Sequence, residues 1–306
     1  TCALPIWTIS FLNILLLLLL PPVVSTVSAE PLRIGSISAE YVSEVKKFKA
    51  LTDYLSIHLA PFGIDQVEVV VTHSMDEMSR MIHDDKVDLF IDSPYPSLII
   101  SNQTKSKMVL RRWKKGVDQY HSVLFTRKES PIENIQGLKG KRIAFEEPFS
   151  TASYFLGKSE LISNGLLPVE APKRGSGDNK AQTADSVAYL FSGADSTTVS
   201  WVLRNRVEAG TINHHKFETL KEGIRSKLKI IHQSMDVPRH IVSFRANYPE
   251  LPISQISRVL TAMDQESMGK AALKQFQKTR KFDLISTQTQ NNLQQLKKMV
   301  QKINTP

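Results

Sequence analysis

The stretch "QVEVVVTHSMDEMSRMIHDDKVDLFIDSPYPSLIISNQT" (66–104) changes its period from one segment to the next. Residues 66–73 are rich in β-branched side chains and read as a strand. Residues 74–86 open on Ser74 with Glu77 three places on, the capping-box pattern of a helix start. Residues 87–92 are a short apolar strand, and 94–104 read as a helix that starts on proline. Strand, helix, strand and helix in such short succession specify a parallel sheet covered by helices.

Upstream the same order holds. "PLRIGSIS" (31–38) reads as a strand, and 44–63 as a helix with Val45, Phe48, Leu51, Leu55 and Leu59 on one face, ended by Pro61 and Gly63. Downstream the pattern restarts. A strand is expected at 121–128, a turn and short helix at 130–141, and a strand at 142–146. A helix follows over 151–165, closed by Asn164-Gly165, then a helix and strand over 195–212. The tail is helical, with Leu293, Leu296, Val300 and Ile303 on one stripe. Two consecutive α/β units with no Gly/Pro/Ser-rich linker between them, and no repeat relating them, predict a two-lobed α/β protein.

Residues 9–20, "ISFLNILLLLLL", are uncharged and apolar, then Pro21-Pro22 intervenes and Val27-Ser28-Ala29 offers small residues. We expect a secretory signal peptide over 1–29, cut after Ala29; an uncleaved anchor is the alternative. No initiator Met and no positive charge precede the run, so the start is expected to be truncated or artefactual; Ala3-Leu4-Pro5-Ile6 is also what a common sequencing adapter encodes. The single cysteine, Cys2, lies upstream of the run. The mature chain is therefore expected to lack disulfides, thiol catalysis and cysteine-based metal sites, which suits an exported protein of the periplasm. At 41% hydrophobic and 23% charged the composition is globular, and a net charge of +9 favours anionic ligands or partners. No basic stripe interleaved with aromatics points to nucleic acid. "LRRWKKG" (110–116), the densest basic cluster, reads as a solvated loop.

The loops that follow strands and open helices are where open α/β sheets bind ligands. Here they are "GSISAEY", "IDSPYPS", "EEPFSTAS" and "SGADST", each rich in Ser, Thr, Asp or Tyr. "FEEPFSTASYFLGKSELISNGL" (145–166) sets Pro148 and then Ser150-Thr151-Ala152-Ser153 before a helical apolar run. Two readings stand side by side. One is a good N-cap. The other is a helix N-terminus built to hold an anion, its free N–H groups and positive dipole end joined by the hydroxyls of Ser150, Thr151 and Ser153.

"RIG" (33–35), "VDLFIDSPYPSLI" (87–99), "YHSVLFTRKESPIENIQGLKGKRIAFEEPFSTASYFL" (120–156), "LISNGLLP" (161–168) and "VPRHIVSFRANYPE" (237–250) together resemble the phosphate/phosphite/phosphonate-binding family of periplasmic solute-binding proteins of ABC importers. The resemblance covers nearly the whole mature chain. It implies the type II periplasmic binding protein fold: two lobes, each a mainly parallel sheet flanked by helices, with the ligand cleft between them. Lobe 1 is expected over 30–117 plus 243–306 and lobe 2 over 118–242, with crossings near 116–120 and 242–245. It also implies that Ser150, Thr151 and the adjacent helix amides hold a phosphonate- or phosphate-like oxyanion, captured by hinge closure for an ABC importer's permease. A periplasmic subunit that reports to a membrane sensor kinase is the alternative, and an exported enzyme on the same scaffold is a less favoured one. Asp92, Ser93 and Tyr95 stand in the loop after the third strand. Asp195 and Ser196 stand where phosphonate binders place a histidine, and Asn213 near a contacting position. Tyr41 and Ser38, from the first loop, are weaker candidates. Asp92 would repel an anion unless it meets an amine of the ligand. For Tyr41 and Tyr95, packing or a lid is as good a reading as stacking on a ligand. Replacing Ser150 and Thr151 together by Ala is expected to abolish binding and spare the fold.

Enzyme signatures are thin. No nucleophile elbow, phosphate-binding Gly-rich loop or paired catalytic carboxylates occur. His214-His215 reads as a surface pair, and His73 and His83 lack metal-ligand spacing with a Glu. We expect a monomeric binding protein with no cofactor, no metal and no catalytic residues.

Overall fold

The computed structural model describes residues 1–3, 30–172 and 185–304. Apart from its first three residues, where Cys2 is exposed, the expected signal segment with its cut at Ala29 lies outside the described residues.

The strands run in chain order as β1 (Leu32–Ile37), β2 (Val67–Thr72), β3 (Leu89–Asp92), β4 (Lys107–Arg112), β5 (Gln119–Tyr120), β6 (Ser122–Arg127) and β7 (Arg142–Phe145). They continue as β8 (Leu167–Glu170), β9 (Ser186–Phe191), β10 (Ala209–Asn213), β11 (Leu228–Gln233), β12 (Val237–Pro238), β13 (His240–Phe244) and β14 (Phe282–Leu284). The helices are α1 (Tyr41–Leu59), α2 (Met75–His83), α3 (Pro94–Thr104), α4 (Gly157–Ser163) and α5 (Asp195–Leu203), then α6 (His214–Glu218), α7 (Glu222–Arg225), α8 (Glu250–Ala262), α9 (Ser267–Gln275) and α10 (Thr287–Asn304).

Two six-stranded sheets result, ordered β14-β4-β13-β3-β1-β2 and β11-β6-β10-β7-β9-β8. In the first, β2, β1 and β3 are parallel, and β13 inserts antiparallel between β3 and β4. In the second, β8, β9, β7 and β10 are parallel, with β6 antiparallel beyond them. β3 is buried at all four residues, as a strand covered on both faces must be.

Sequence accounts for the covering helices. Helix α1 sends Phe48, Leu51, Leu55 and Leu59 into the core with Leu32 and Ile34 of β1, a spacing of three and four residues. Each such side chain contributes roughly 1.5–3 kcal/mol. The chain turns away at Gly63, whose φ of 81° is left-handed and favours glycine. Ser74 caps α2, its Oγ accepting from the Glu77 N–H at 3.1 Å. The Glu77 carboxylate reaches back to the N–H of His73, one residue before the cap, at 2.8 Å. Helix α10 lays Leu293 and Leu296 on a third core with Tyr95, Leu98, Phe155 and Leu156, and so touches both α/β units.

A two-stranded ribbon, β5 against β12, pairs the outgoing and returning chain between the sheets. The return differs from the sequence reading. His240, Ile241 and Val242 already pair with Arg112, Arg111 and Leu110 of β4, so the chain re-enters the first sheet before residue 242, and the second crossing is at 234–239. The apolar run "IVSF" hid the junction because it reads as one strand whichever sheet owns it.

Candidate functional site

The carboxyl ends of β1 and β3 in one sheet, and of β7 and β10 in the other, open onto a common cleft of about 430 Å³. Such crevices are where doubly wound sheets bind ligands. One wall is the helix start after β7. Tyr154 and Phe155 both donate their N–H to the Ser150 carbonyl, at 3.2 and 3.0 Å, so the first turn is a wide π-turn over Thr151–Leu156. The N–H groups of Thr151 and Ala152 precede that pattern and meet no acceptor among the described residues, as the opening of a helix requires.

The hydroxyls there are committed elsewhere. Ser150 Oγ donates to Glu146 Oε2 at 3.0 Å and accepts from the Ser153 N–H at 3.2 Å. Thr151 Oγ1 donates to Ser93 Oγ at 2.9 Å and accepts from the Tyr95 N–H at 3.0 Å. Ser153 Oγ donates to the Thr211 carbonyl at 2.6 Å and accepts from the Glu146 N–H at 2.7 Å. A hydroxyl has one proton, and all three are placed. The extra donors expected from the sequence are therefore structural bonds in this structure, and what is left without an acceptor at the turn is backbone N–H.

The opposite wall is cationic. On β4, Arg111 and Arg112 point to opposite faces, as neighbours on a strand do. Arg111 forms a fork with Asp283, at 3.1 and 2.8 Å, and reaches Asp118. Arg112 faces the cleft, stacked on Phe276 at 3.4 Å and bonded to Thr279 Oγ1, the Phe276 carbonyl and Gln277 Oε1. Lys114 follows, its Nζ 3.0 Å from Nε2 of His240, whose Nδ1 is buried without a partner. Arg239 lies over the Tyr120 ring at 4.5 Å and donates Nε–H to the Lys114 carbonyl.

Burial dominates the titration of this site. It pushes Lys114 down to about 7, helped by the like charges of Arg112 and Arg239. His240 falls well below its usual range for the same reasons and is the neutral acceptor for Lys114. Burial pushes Glu146 up to about 7, with Asp195 adding repulsion and the Ser150 hydroxyl opposing. Asp92 rises to about 6 by burial, against bonds from the Ser93 N–H and hydroxyl.

Of the residues singled out from the sequence, Asp92, Ser93, Ser150, Thr151, Ala152, Asp195 and Asn213 line the cleft. Asp195 pairs with Lys216 at 3.8 Å, and Asn213 caps α6 by accepting from the His215 N–H. Ser153 is buried behind the turn. Tyr95 is a packing residue, stacked on Phe155 at 4.6 Å and outside the lining. Tyr41 is 52% exposed on the first turn of α1, and Ser196 is exposed on α5; neither lines the cleft, and nor does Ser38, whose Oγ accepts from the Glu40 N–H. The reading of 110–116 as a solvated loop is overturned, since Leu110, Arg111 and Arg112 are buried strand. Arg112, Lys114, Arg239, Tyr120 and Glu146 were missed. Their signal was a basic cluster at the first crossing and "PRH" inside a matched stretch. His214 stacks on His121 at 4.0 Å, and the described residues hold no group of three His, Cys, Asp or Glu able to bind a metal.

Two α/β lobes around a deep cleft define a two-lobed periplasmic binding protein. Residues 34–289 match the family described as "ABC transporter, phosphonate, periplasmic substrate-binding protein", and the chain belongs to that family. The fold is shared with solved structures. XAC2383 from Xanthomonas citri, bound to chloride, has TM-score 0.82 at 23% identity, over 89% of this chain and 98% of that one. The same protein bound to ATP gives 0.81 at 22%, over 89% and 97%. PhnD1 from Prochlorococcus marinus in complex with methylphosphonate gives 0.68 at 17%, over 90% and 99%.

Proposed function

We propose that this substrate-binding protein captures a phosphonate- or phosphate-like oxyanion in the periplasm and hands it to an ABC permease, without turning it over. The observation that carries this is the pair of N–H groups without an acceptor at Thr151 and Ala152, two residues that line a cleft shared with Arg112, Lys114 and Arg239. An N-terminus of this kind holds tetrahedral oxyanions by amides and dipole alone. Each charge-assisted bond contributes about 1.5–3 kcal/mol. The chain works as a monomer, exported by cleavage after Ala29. Lobe 1 comprises residues 30–117 with 240–306 and lobe 2 residues 118–239. The β5–β12 ribbon is the hinge over which they close.

Isothermal titration of the purified chain tests this with phosphate, phosphite, sulfate and methylphosphonate, alongside a thermal-unfolding screen. A bound oxyanion must raise the melting temperature by mass action. Binding of at least one phosphorus oxyanion, with no phosphate released from a bound alkylphosphonate, is expected. A folded sample that responds to none would sink the reading. Intact mass after export would locate the cut.

A further inference from the structure

The cleft holds more cationic side chains than a single oxyanion at the helix N-terminus engages, alongside the carboxylates Glu44, Asp92, Glu146, Glu147 and Asp195. Arg112, Lys114, Lys115 and Arg239 line one side of it, and Arg112 and Arg239 are only 1% and 6% exposed. None of the four forms a salt bridge among the described residues, although Glu44 and Asp92 attract Arg112 and Lys114, and Asp195 attracts Lys115, from farther off. Arg112 spends its donors on Thr279, Phe276 and Gln277, Lys114 on neutral His240, and Arg239 on a backbone carbonyl. The other cations of the cleft are paired, Lys47 with Glu44 at 2.7 Å and Lys216 with Asp195 at 3.8 Å. Buried cations normally sit in direct contact with an anion, so a cluster whose nearest carboxylates are beyond bonding distance has room for an anionic group between.

The Tyr120 ring lies between part of the cluster and the helix N-terminus: Arg239 covers the ring, while the Tyr120 hydroxyl sits beside Thr151 and Ser93. A cleft of about 430 Å³ is in the range of sites for multi-group organic ligands, about 300–1,000 Å³, rather than for one small oxyanion.

We infer that the ligand is two-headed. A phosphonate or phosphate group sits on the Thr151 and Ala152 amides, and a second anionic group, carboxylate or phosphoryl, sits among Arg112, Lys114, Lys115 and Arg239. This rests on the oxyanion reading above and adds a subsite to it. Lys114 and Lys115 precede the outgoing strand of the hinge ribbon and Arg239 follows the returning one, so the second head binds at the hinge.

The test is titration calorimetry of the purified chain at fixed ionic strength with methylphosphonate, 2-aminoethylphosphonate, phosphonoacetate, 3-phosphonopropionate and methylenebisphosphonate. At least one two-headed compound is expected to bind tenfold or more tightly than methylphosphonate. The carboxylate and bisphosphonate arms tell which second head is preferred. In Lys114→Gln and in Lys115→Gln that ratio should shrink toward one. Lys115 is on a partly exposed turn, so its variant keeps the test usable if Lys114→Gln fails to fold. Methylphosphonate binding as well as every two-headed compound, or a ratio unmoved by the variants, overturns the second subsite alone. Tightest binding of 2-aminoethylphosphonate also overturns it, because the cleft carboxylates would then be reading an amine. A folded sample that binds none of the five overturns the oxyanion reading, and this inference with it.

Discussion

Thr151 shows how a single side chain can be placed at a site and yet be occupied by the fold. Its Oγ1 ties the second lobe to the first through Ser93 and the Tyr95 N–H. Thr151→Val keeps the shape and leaves that buried N–H without an acceptor, which costs about 1–3 kcal/mol. Urea unfolding of the ligand-free protein should show the loss, so removing the Ser150 and Thr151 hydroxyls together is expected to lower stability as well as binding. Glu146 makes a second prediction. Burial raises its pKa from 4.5 to about 7 in the folded chain. Between those values the native state holds a proton that the unfolded state has lost, so stability falls as pH rises through that window. Glu146→Gln should flatten the fall and leave the variant about 1–3 kcal/mol more stable than the parent at pH 8, read by denaturant titration at pH 5 and 8. Residue type was legible here and commitment was not. "STAS" announces a helix start, but whether a hydroxyl faces a ligand or a neighbouring carbonyl depends on strands far away in the chain, such as β10 under Ser153.

Elements were more readable than residues. The strand-helix alternation over 31–104 matches β1 to α3, with α3 at the expected residues 94–104, because period and capping act locally. β4 escaped because "KMVLRR" ends in two charges, one absorbed by Asp283 with help from nearby Asp118 and the other by the 276–279 segment; Asp283 and that segment lie some 170 residues on. The turn into α4 shows a further constraint. Gly157 lies against β7 and β10, where a Cβ would stand 2.9 Å from Thr211 Cγ2 and 3.0 Å from a Phe145 ring carbon. Gly157→Ala should therefore destabilise by about 1–3 kcal/mol, despite alanine's better helix propensity, and thermal unfolding would measure it. A gain in stability there would mean that the helix has room to shift.

At the scale of the molecule, two-lobed order was legible from the restart of the α/β pattern, but the seam was not. The outgoing and returning segments pair only with each other in β5 and β12, two residues apiece, which leaves no periodic trace. The tail helix was legible as an amphipathic stripe, although not its landing place. Leu296 is fully buried in the cluster that holds Tyr95 of one lobe and Phe155 of the other. Leu296→Ala should cost about 2–5 kcal/mol in unfolding free energy, measured by denaturant titration. That cluster also decides how the mouth can open. A clamp pinned only by its two crossing strands could swing from its back edge. Here the Tyr95–Phe155 stack, the Thr151–Ser93 bond and α10 fasten the halves at the floor of the cleft. Closure over the ribbon is therefore expected to be a small swing that parts the lips while these contacts hold, and ligand-free and ligand-bound small-angle scattering should differ little in radius.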